Sequence, residues 1–82
     1  MAGPATRFAA VTPHNSTNLP GGIAAALFIG VGGDVVIVGA DDNNGEVVET
    51  FKNVANGTIL PVYCKRVNAT GTTATFIKAL YL

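Results

Sequence analysis

Short apolar runs separated by turn-forming residues are what most constrain the fold of this chain. Glycine, proline and asparagine interrupt the sequence about every 8–12 residues, a spacing typical of all-β sandwiches and barrels. No segment keeps the 3.6-residue periodicity of an amphipathic helix. We therefore predict an all-β fold: a small antiparallel β-sandwich or β-barrel of about six to seven strands. An extended N-terminal arm is expected over residues 1–12 and a single β domain over residues 13–82.

The expected strands follow the apolar runs. They cover residues 7–11, 23–31, 34–39, 46–52, 58–67 and 73–82. In residues 23–31 three consecutive alanines favour a helix by propensity. That run is short and ends at glycines, so we predict a strand that is covered on both faces. Pro61 has no N–H to donate, and it is expected at a sheet edge or a bulge.

Three turns are predicted between these strands. Gly32-Gly33 is expected to form a tight turn. Asn44-Gly45 is expected to form a type I′ hairpin turn, because that turn needs two residues with positive φ. Residues 68–72 are rich in turn formers and are expected to fold residues 58–67 and 73–82 back on each other as a hairpin.

The composition indicates an oligomer. Cys64 is the only cysteine and the chain has one histidine, which excludes an intrachain disulfide and a closed four-ligand zinc site. Apolar residues make up 49% of the chain and charged residues only 12%. A domain of 82 residues buries a limited share of its surface. We therefore expect neighbouring subunits to cover part of it.

Charge and hydropathy argue against several functions. Five basic and five acidic residues cancel, and there is no basic stripe to neutralise phosphates, so nucleic-acid binding is not expected. No apolar run reaches the roughly 18 residues that span a bilayer, and no membrane partner is expected. The N-terminal residues lack the basic and apolar regions of a signal peptide, which predicts cytoplasmic synthesis. No cofactor is expected.

Two glycine-rich motifs have simpler explanations than ligand binding. Residues 30–34 (GVGGD) resemble a phosphate-binding loop, but that chemistry needs a helix after the glycines and a β-branched strand follows instead. Residues 41–45 (DDNNG) resemble part of a calcium loop that lacks its downstream bidentate glutamate. We predict a solvated hairpin tip here, with a weak cation site at Asp41 and Asp42 as the alternative.

The remaining candidates for chemistry are isolated. His14 and Ser16 lie two residues apart on a turn-rich loop, and no nearby acid is available to orient the imidazole, so they are predicted to be ordinary loop residues. Cys64 alternates with apolar neighbours and is predicted to be a buried, unreactive side chain. Three sequons begin at Asn15, Asn56 and Asn68; they are interpreted as asparagines in turns. The chain is not expected to be an enzyme.

A series of short strings occurs in a fixed order along the chain. They are TP at 12–13, NLPGG at 18–22, ALFIG at 26–30, GDV at 33–35, TFKNV at 50–54, GTILPV at 57–62, RV at 66–67 and ATGTTAT at 69–75. As an ordered set they resemble the head-spike base family of alphaproteobacterial gene transfer agents, which has relatives in tailed phages and prophages. The resemblance covers about residues 10–82.

This resemblance implies a virion structural protein on the capsid exterior. In the family, the protein forms an oligomeric base at the capsid vertices and anchors a head spike or fibre. The implied partners are the major capsid protein below, a spike or fibre protein above, and further copies of the chain, as a pentamer in preference to a trimer. The implied location is the virion, after synthesis in a bacterial host.

Some residues depart from the family's pattern. Plain alanines at 24–26 stand where a basic residue is expected, and Tyr63-Cys64 and Phe76 stand where more polar residues are expected. Two alternatives therefore stay open: a capsid decoration (cement) protein without a fibre, or a carbohydrate- or host-binding surface module. The six aromatic residues are spread one per predicted strand and are predicted to anchor the core. The alternative for Tyr63, Phe76 and Tyr81 is a position at subunit contacts, where aromatic residues are over-represented. The candidate interface residues are Arg7, Phe8, Leu19, Pro20, Tyr63, Phe76 and Tyr81.

Overall fold

The computed structural model describes residues 6–40 and 48–81. They form seven strands: β1 (Arg7–Ala10), β2 (Ala26–Val31), β3 (Gly33–Gly39), β4 (Val48–Val54), β5 (Thr58–Leu60), β6 (Cys64–Asn68) and β7 (Thr75–Tyr81). No helix occurs in these residues, and so none of them could cross a membrane as a helix. The predicted all-β fold is confirmed.

The strands form two antiparallel sheets that face each other. Sheet A has the order β1-β7-β2-β5, and sheet B has the order β4-β3-β6. β7 pairs with both β1 and β2, and β3 pairs with both β4 and β6, so each sheet is built around one long central strand or strand pair. β1 lies within the predicted N-terminal arm; the preceding residues 1–5 lie outside the described part.

Alternate residues of both sheets meet in one apolar core, as period-2 alternation requires. Sheet B supplies side chains such as Val35, Ile37 and Val67. The central strands of sheet A supply fully buried residues, which are Leu27, Ile29, Ile77, Ala79 and Tyr81. The long strands other than β4 supply fully buried residues to this core, whereas β4 is exposed or half-buried and contributes Val54, which packs against the core.

The connection between β1 and β2 covers one edge of sheet B. Its backbone follows β6, because the N–H of His14 donates to the carbonyl of Val67 and the N–H of Leu19 donates to the carbonyl of Lys65. Leu19 inserts into the core. At the other edge of sheet B, no strand among the described residues pairs with the outer side of β4.

The predicted hairpin over residues 58–82 is wrong. Its first half divides into β5, which pairs with β2 in sheet A, and β6, which pairs with β3 in sheet B. Its second half is β7, which returns to sheet A and pairs with β1 and β2, not with β6. Pro61 follows the end of β5, an edge strand, as predicted. The chain changes sheet after it because proline cannot continue a ladder.

The predicted tight turn at Gly32-Gly33 is also wrong. β2 and β3 belong to different sheets and run almost continuously through these glycines, which form a corner between the sheets. Gly33 has a φ of 153°, and the carbonyl of Asp34 just after the corner accepts from the N–H groups of Thr73 and Ala74. By contrast, β3 and β4 pair as the predicted hairpin, although its Asn44-Gly45 tip lies outside the described residues.

The corner leaves no room for a side chain, which gives a stability test. A Cβ on Gly32 would collide with the backbone of the β4–β5 connection, at the carbonyl oxygen of Val54 and at Ala55. We expect Gly32→Ala to lower the free energy of unfolding by about 3 kcal/mol or more, since backbone cannot move aside as a flexible side chain can. Urea unfolding followed by circular dichroism measures it.

Gly57→Ala is the matched control for this test. Gly57 has a φ of 74°, but no atom lies within 4 Å of the position of its added Cβ. That substitution should lower the free energy of unfolding by only about 1–2 kcal/mol, which is the cost of placing alanine in the left-handed backbone region. Equal losses in the two variants would contradict the close-packed corner.

Candidate interaction surface

The outer face of sheet A is apolar. Because alternate residues point to opposite faces of a sheet, the neighbours of its core residues point away from the core. We call these apolar outward-facing residues the aromatic face: Phe8, Phe28, Ile59, Phe76 and Leu80. Phe8 and Phe76 are 72% and 71% exposed, and Ile59 is 57% exposed. Clustered exposed apolar residues of this size mark interaction surfaces.

The strand register makes this face continuous. Phe28 of β2 lies opposite Ile59 of β5 on one side and opposite Lys78 of β7 on the other. Leu80 of β7 lies opposite Phe8 of β1. Cross-strand partners on one face are near neighbours, so the aromatic face extends across all four strands and contains one charged residue, Lys78.

Phe76 adopts a backbone conformation that is unusual for its residue type. Its φ is 55°, in the left-handed region where a bulky side chain is strained. The chain approaches β2 closely here, because a Cβ on Gly30 would lie 2.7 Å from the Cβ of Phe76 and 2.8 Å from its carbonyl oxygen. Gly30 therefore makes room for a conformation in which the Phe76 ring projects into solvent.

A second feature lies at the open side of the sandwich. Between β4 and the residues that follow β5 there is a cavity of about 160 Å³, which we call the seam pocket. It is lined by Ile37, Gly39, Glu49, Phe51, Val62 and Tyr63. Glu49 is the acidic member of an otherwise largely apolar set, and it comes from the exposed edge strand β4.

His14 and Ser16 serve the loop rather than a reaction. The Nδ1 atom of His14 accepts from the backbone N–H groups of Ser16, at 3.1 Å, and Thr17, at 3.2 Å. The imidazole thus caps a turn, as the prediction of ordinary loop residues implies. Within the described ranges, no three His, Cys, Asp or Glu residues come together as metal ligands would. The Asp41–Asp42 site lies outside those ranges.

The three sequon asparagines also have structural partners. Asn15 accepts from the N–H groups of Ala69 and Thr70 at 3.0 Å. Asn56 accepts from the N–H of Gly32 at 2.6 Å, beside the corner between the sheets. Asn68 accepts from the Nε atom of Arg66 at 2.9 Å. Asn15 and Asn56 lie in turns and connections, as interpreted from the sequence, whereas that interpretation is wrong for Asn68, which is the last residue of β6.

Cys64 is buried, as predicted. Its side chain has no solvent exposure, and its backbone forms a two-bond bridge with Ala24. Burial raises the pKa of the thiol from 9.0 to about 11, because the thiolate would lose its hydration. The thiol is therefore a packing group at neutral pH.

The predicted interface residues fall into two sets. Five are exposed, which are Arg7, Phe8, Pro20, Tyr63 and Phe76. The other two are buried: Leu19 lies in the core, and the Tyr81 hydroxyl accepts from the N–H of Gly21 at 3.0 Å while its ring lies 4.9 Å from the Arg7 guanidinium. Residues of this second set could influence a partner only by supporting the surface above them.

Sequence reasoning missed some of the surface residues. The prediction of a core position is wrong for Phe8, Phe51, Tyr63 and Phe76, which are exposed. Phe28 belongs to a strand predicted to be covered on both faces, and the predicted interface does not include Ile59 or Lys78. The signal was present for Phe28 and Ile59, since strict alternation with Leu27 and Leu60 places them on the face opposite the core. Nothing in the sequence indicates that Glu49 borders a pocket, because β4 meets the chain after β5 only in three dimensions.

The fold and its surface define a class: a small all-β structural module that presents an apolar sheet face. Comparisons with known proteins place it more narrowly. No family model and no curated protein matches the sequence. A solved structure described as "Capsid of native GTA particle computed with C5 symmetry" contains a chain that is 40% identical.

That alignment covers 94% of this chain and 83% of the other, with a TM-score of 0.77. The chain therefore belongs to the same family as this component of a gene transfer agent capsid. The match supports a virion structural protein, and the expected virion location agrees with it. The likeness also favours a structural role over an enzymatic one.

The strain at Phe76 predicts an unusual stability effect. Asparagine tolerates positive φ, and little burial is lost because the Phe76 ring is 71% exposed. We expect Phe76→Asn to raise the free energy of unfolding of the monomeric chain, measured at a concentration too low for self-association, by about 1 kcal/mol. Phe8→Asn is the matched control, since Phe8 is equally exposed in an ordinary strand; asparagine is unfavourable there and stability should fall. Parallel losses would show that Phe76 is unstrained.

The Cys64 thiol predicts a pH dependence. Above pH 9 the unfolded chain loses the thiol proton while the folded chain keeps it until about pH 11, so folding stability falls as pH rises. The slope is about 1.4 kcal/mol per pH unit within that window. Comparing the wild type with Cys64→Ala at each pH isolates the contribution of the thiol, because the two proteins share every other group. The stability advantage of the wild type should shrink from pH 9 to 10.5; a constant advantage would contradict the assignment.

Proposed function

We propose that this chain is a head-spike base protein. Copies of it form an oligomeric base on the capsid exterior, at the vertices, and anchor a spike or fibre. The major capsid protein lies beneath the base and the spike or fibre protein above it. The chain acts as a rigid structural scaffold, and it catalyses no reaction.

The similarity to a chain in a gene transfer agent capsid carries this proposal. Identity of 40% over 94% of the chain makes a shared role the simplest explanation of the shared fold. That particle was computed with C5 symmetry, and a pentameric base at a vertex would fit a five-fold axis. A pentamer is therefore favoured over a trimer.

The surface is consistent with such an assembly. Phe8, Phe76 and Ile59 are exposed together on one sheet face, which is an arrangement that a partner covers. Residues 1–12 are the proposed contact with the capsid or a neighbour. Their described part ends in β1, an edge strand of sheet A, and an edge strand can accept a further strand by backbone hydrogen bonding.

Particle imaging tests the location. Particles should be purified from cells that carry the gene, from a deletion strain, and from that strain complemented with the wild-type gene. Cryo-electron microscopy with five-fold averaging should show a small β-rich density at the vertices. The deletion should remove it together with any spike, and complementation should restore both.

Other outcomes distinguish the alternatives. Density on the hexagonal faces, with no loss of a spike, would indicate a decoration protein instead of a base. Identical maps from the wild-type and deletion particles would contradict a virion structural role. Loss of the spike while the base density persists would show that another protein forms the base.

A further inference from the structure

We propose that copies of this chain join through a ring-into-pocket contact: the Phe76 ring of one copy inserts into the seam pocket of the next, and Lys78 faces Glu49 across the contact. The proposal deepens the proposed function and rests on it, because it names the surfaces by which the oligomeric base closes. The occupant of the seam pocket is thus a second copy of the same chain.

The inserting group is the Phe76 side chain. It is 71% exposed, and its backbone is held at a φ of 55° that costs conformational energy. An exposed ring that merely faced water would gain nothing from that conformation. Gly30 leaves the space that permits it. The fold therefore keeps a strained backbone at a residue whose aromatic ring is largely exposed.

The receiving group is the seam pocket. Its volume is about 160 Å³, close to that of a roughly 150 Å³ apolar cavity that accommodates benzene. Ile37, Phe51 and Val62 give it apolar walls. The pocket opens beside β4, where no strand among the described residues pairs, so a neighbour can approach it.

Charge makes the contact specific. Lys78 lies two residues after Phe76 on the outer face of β7, about 7 Å away along the strand. Glu49 lines the seam pocket. The ion pair found in the described ranges joins Lys52 to Asp34 and involves neither of these groups. Docking the ring would bring the cation of one copy to the carboxylate of the next.

Charge also disfavours the obvious rival, in which two aromatic faces pack on each other. Lys78 lies within that face, opposite Phe28, so a two-fold arrangement would bring two like charges together in an apolar interface. The ring-into-pocket contact instead uses two different surfaces of each copy. One is a sheet face and the other is an adjacent edge, so successive copies turn through an angle and can close into a ring.

Sedimentation equilibrium of the full chain tests the insertion. The wild type should self-associate, and Phe76→Ser should weaken association about 100-fold, the value of one buried aromatic ring. Phe8→Ser, which removes an equally exposed ring from the same face, should have little effect. A monomeric wild type, or equal weakening by both substitutions, would overturn the proposal.

Charge reversal tests the orientation. Lys78→Glu and Glu49→Lys should each weaken association, and the double variant should restore it. Thermal unfolding of each variant verifies folding. Failure of the double variant to recover, in a folded protein, would overturn the pairing of these two residues.

Cross-linking locates the contact directly. A carbodiimide joins a lysine amine to a carboxylate as an amide with loss of water. Wild-type protein should be mixed as ¹⁵N-labelled and unlabelled copies before treatment, and digested for mass spectrometry. The expected product joins Lys78 to Glu49 with one labelled and one unlabelled peptide, which proves an interchain link. Its absence from cross-linked oligomers would overturn the proposal.

These results are separable from the proposed function. If vertex density is present but the mixed-isotope link is absent, the base exists and its copies join by another surface. If the link forms but no density appears on particles, the oligomer exists and the virion role fails.

Discussion

The fold depends on the close approach of backbone at Gly32-Gly33. Because these residues have no side chains, one nearly continuous stretch serves both sheets, as β2 in sheet A and β3 in sheet B. The β4–β5 connection packs directly on this corner, and Asn56 accepts the N–H of Gly32 there. The three further crossings between the sheets, after β4, β5 and β6, then bring the inner residues of β2, β7 and β3 into one core. No disulfide is needed to align the layers.

Stability and assembly draw on apolar residues of opposite faces of sheet A. The small core uses the inner face of each sheet, and the loop after β1 covers the β6 edge. The outer face of sheet A is nevertheless almost as apolar as the inner one. A monomer gains nothing from Phe8, Ile59 or Phe76 at their exposure, whereas an assembled protein recovers their burial. A domain of 82 residues that exposes aromatic residues in this way is suited to burying them in an assembly.

The sequence predicts the strands of this fold better than it predicts which strands pair with each other. Alternation, turn residues and Pro61 indicated the strands, the β3–β4 hairpin and the edge position of β5. Periodicity does not report which sheet a strand joins, so residues 58–82 suggested one hairpin where the chain changes sheet twice. The aromatic face could be read from alternation at Phe28. The seam pocket could not, since its walls come from segments that meet only after folding.

Phe76 shows why the remaining part of the surface escapes sequence reasoning. An aromatic residue in a strand is ordinarily assigned to the core or to a cross-strand pair. Its identity also carries no information about its φ angle. Thr73 and Ala74 donate to the carbonyl of Asp34 in the other sheet, while Ile77 pairs with Ile29 in sheet A. Phe76 lies between these two anchored positions, and Gly30 of β2 leaves space for it. The strained residue thus lies where the chain enters β7 from the other sheet, and its ring is 71% exposed.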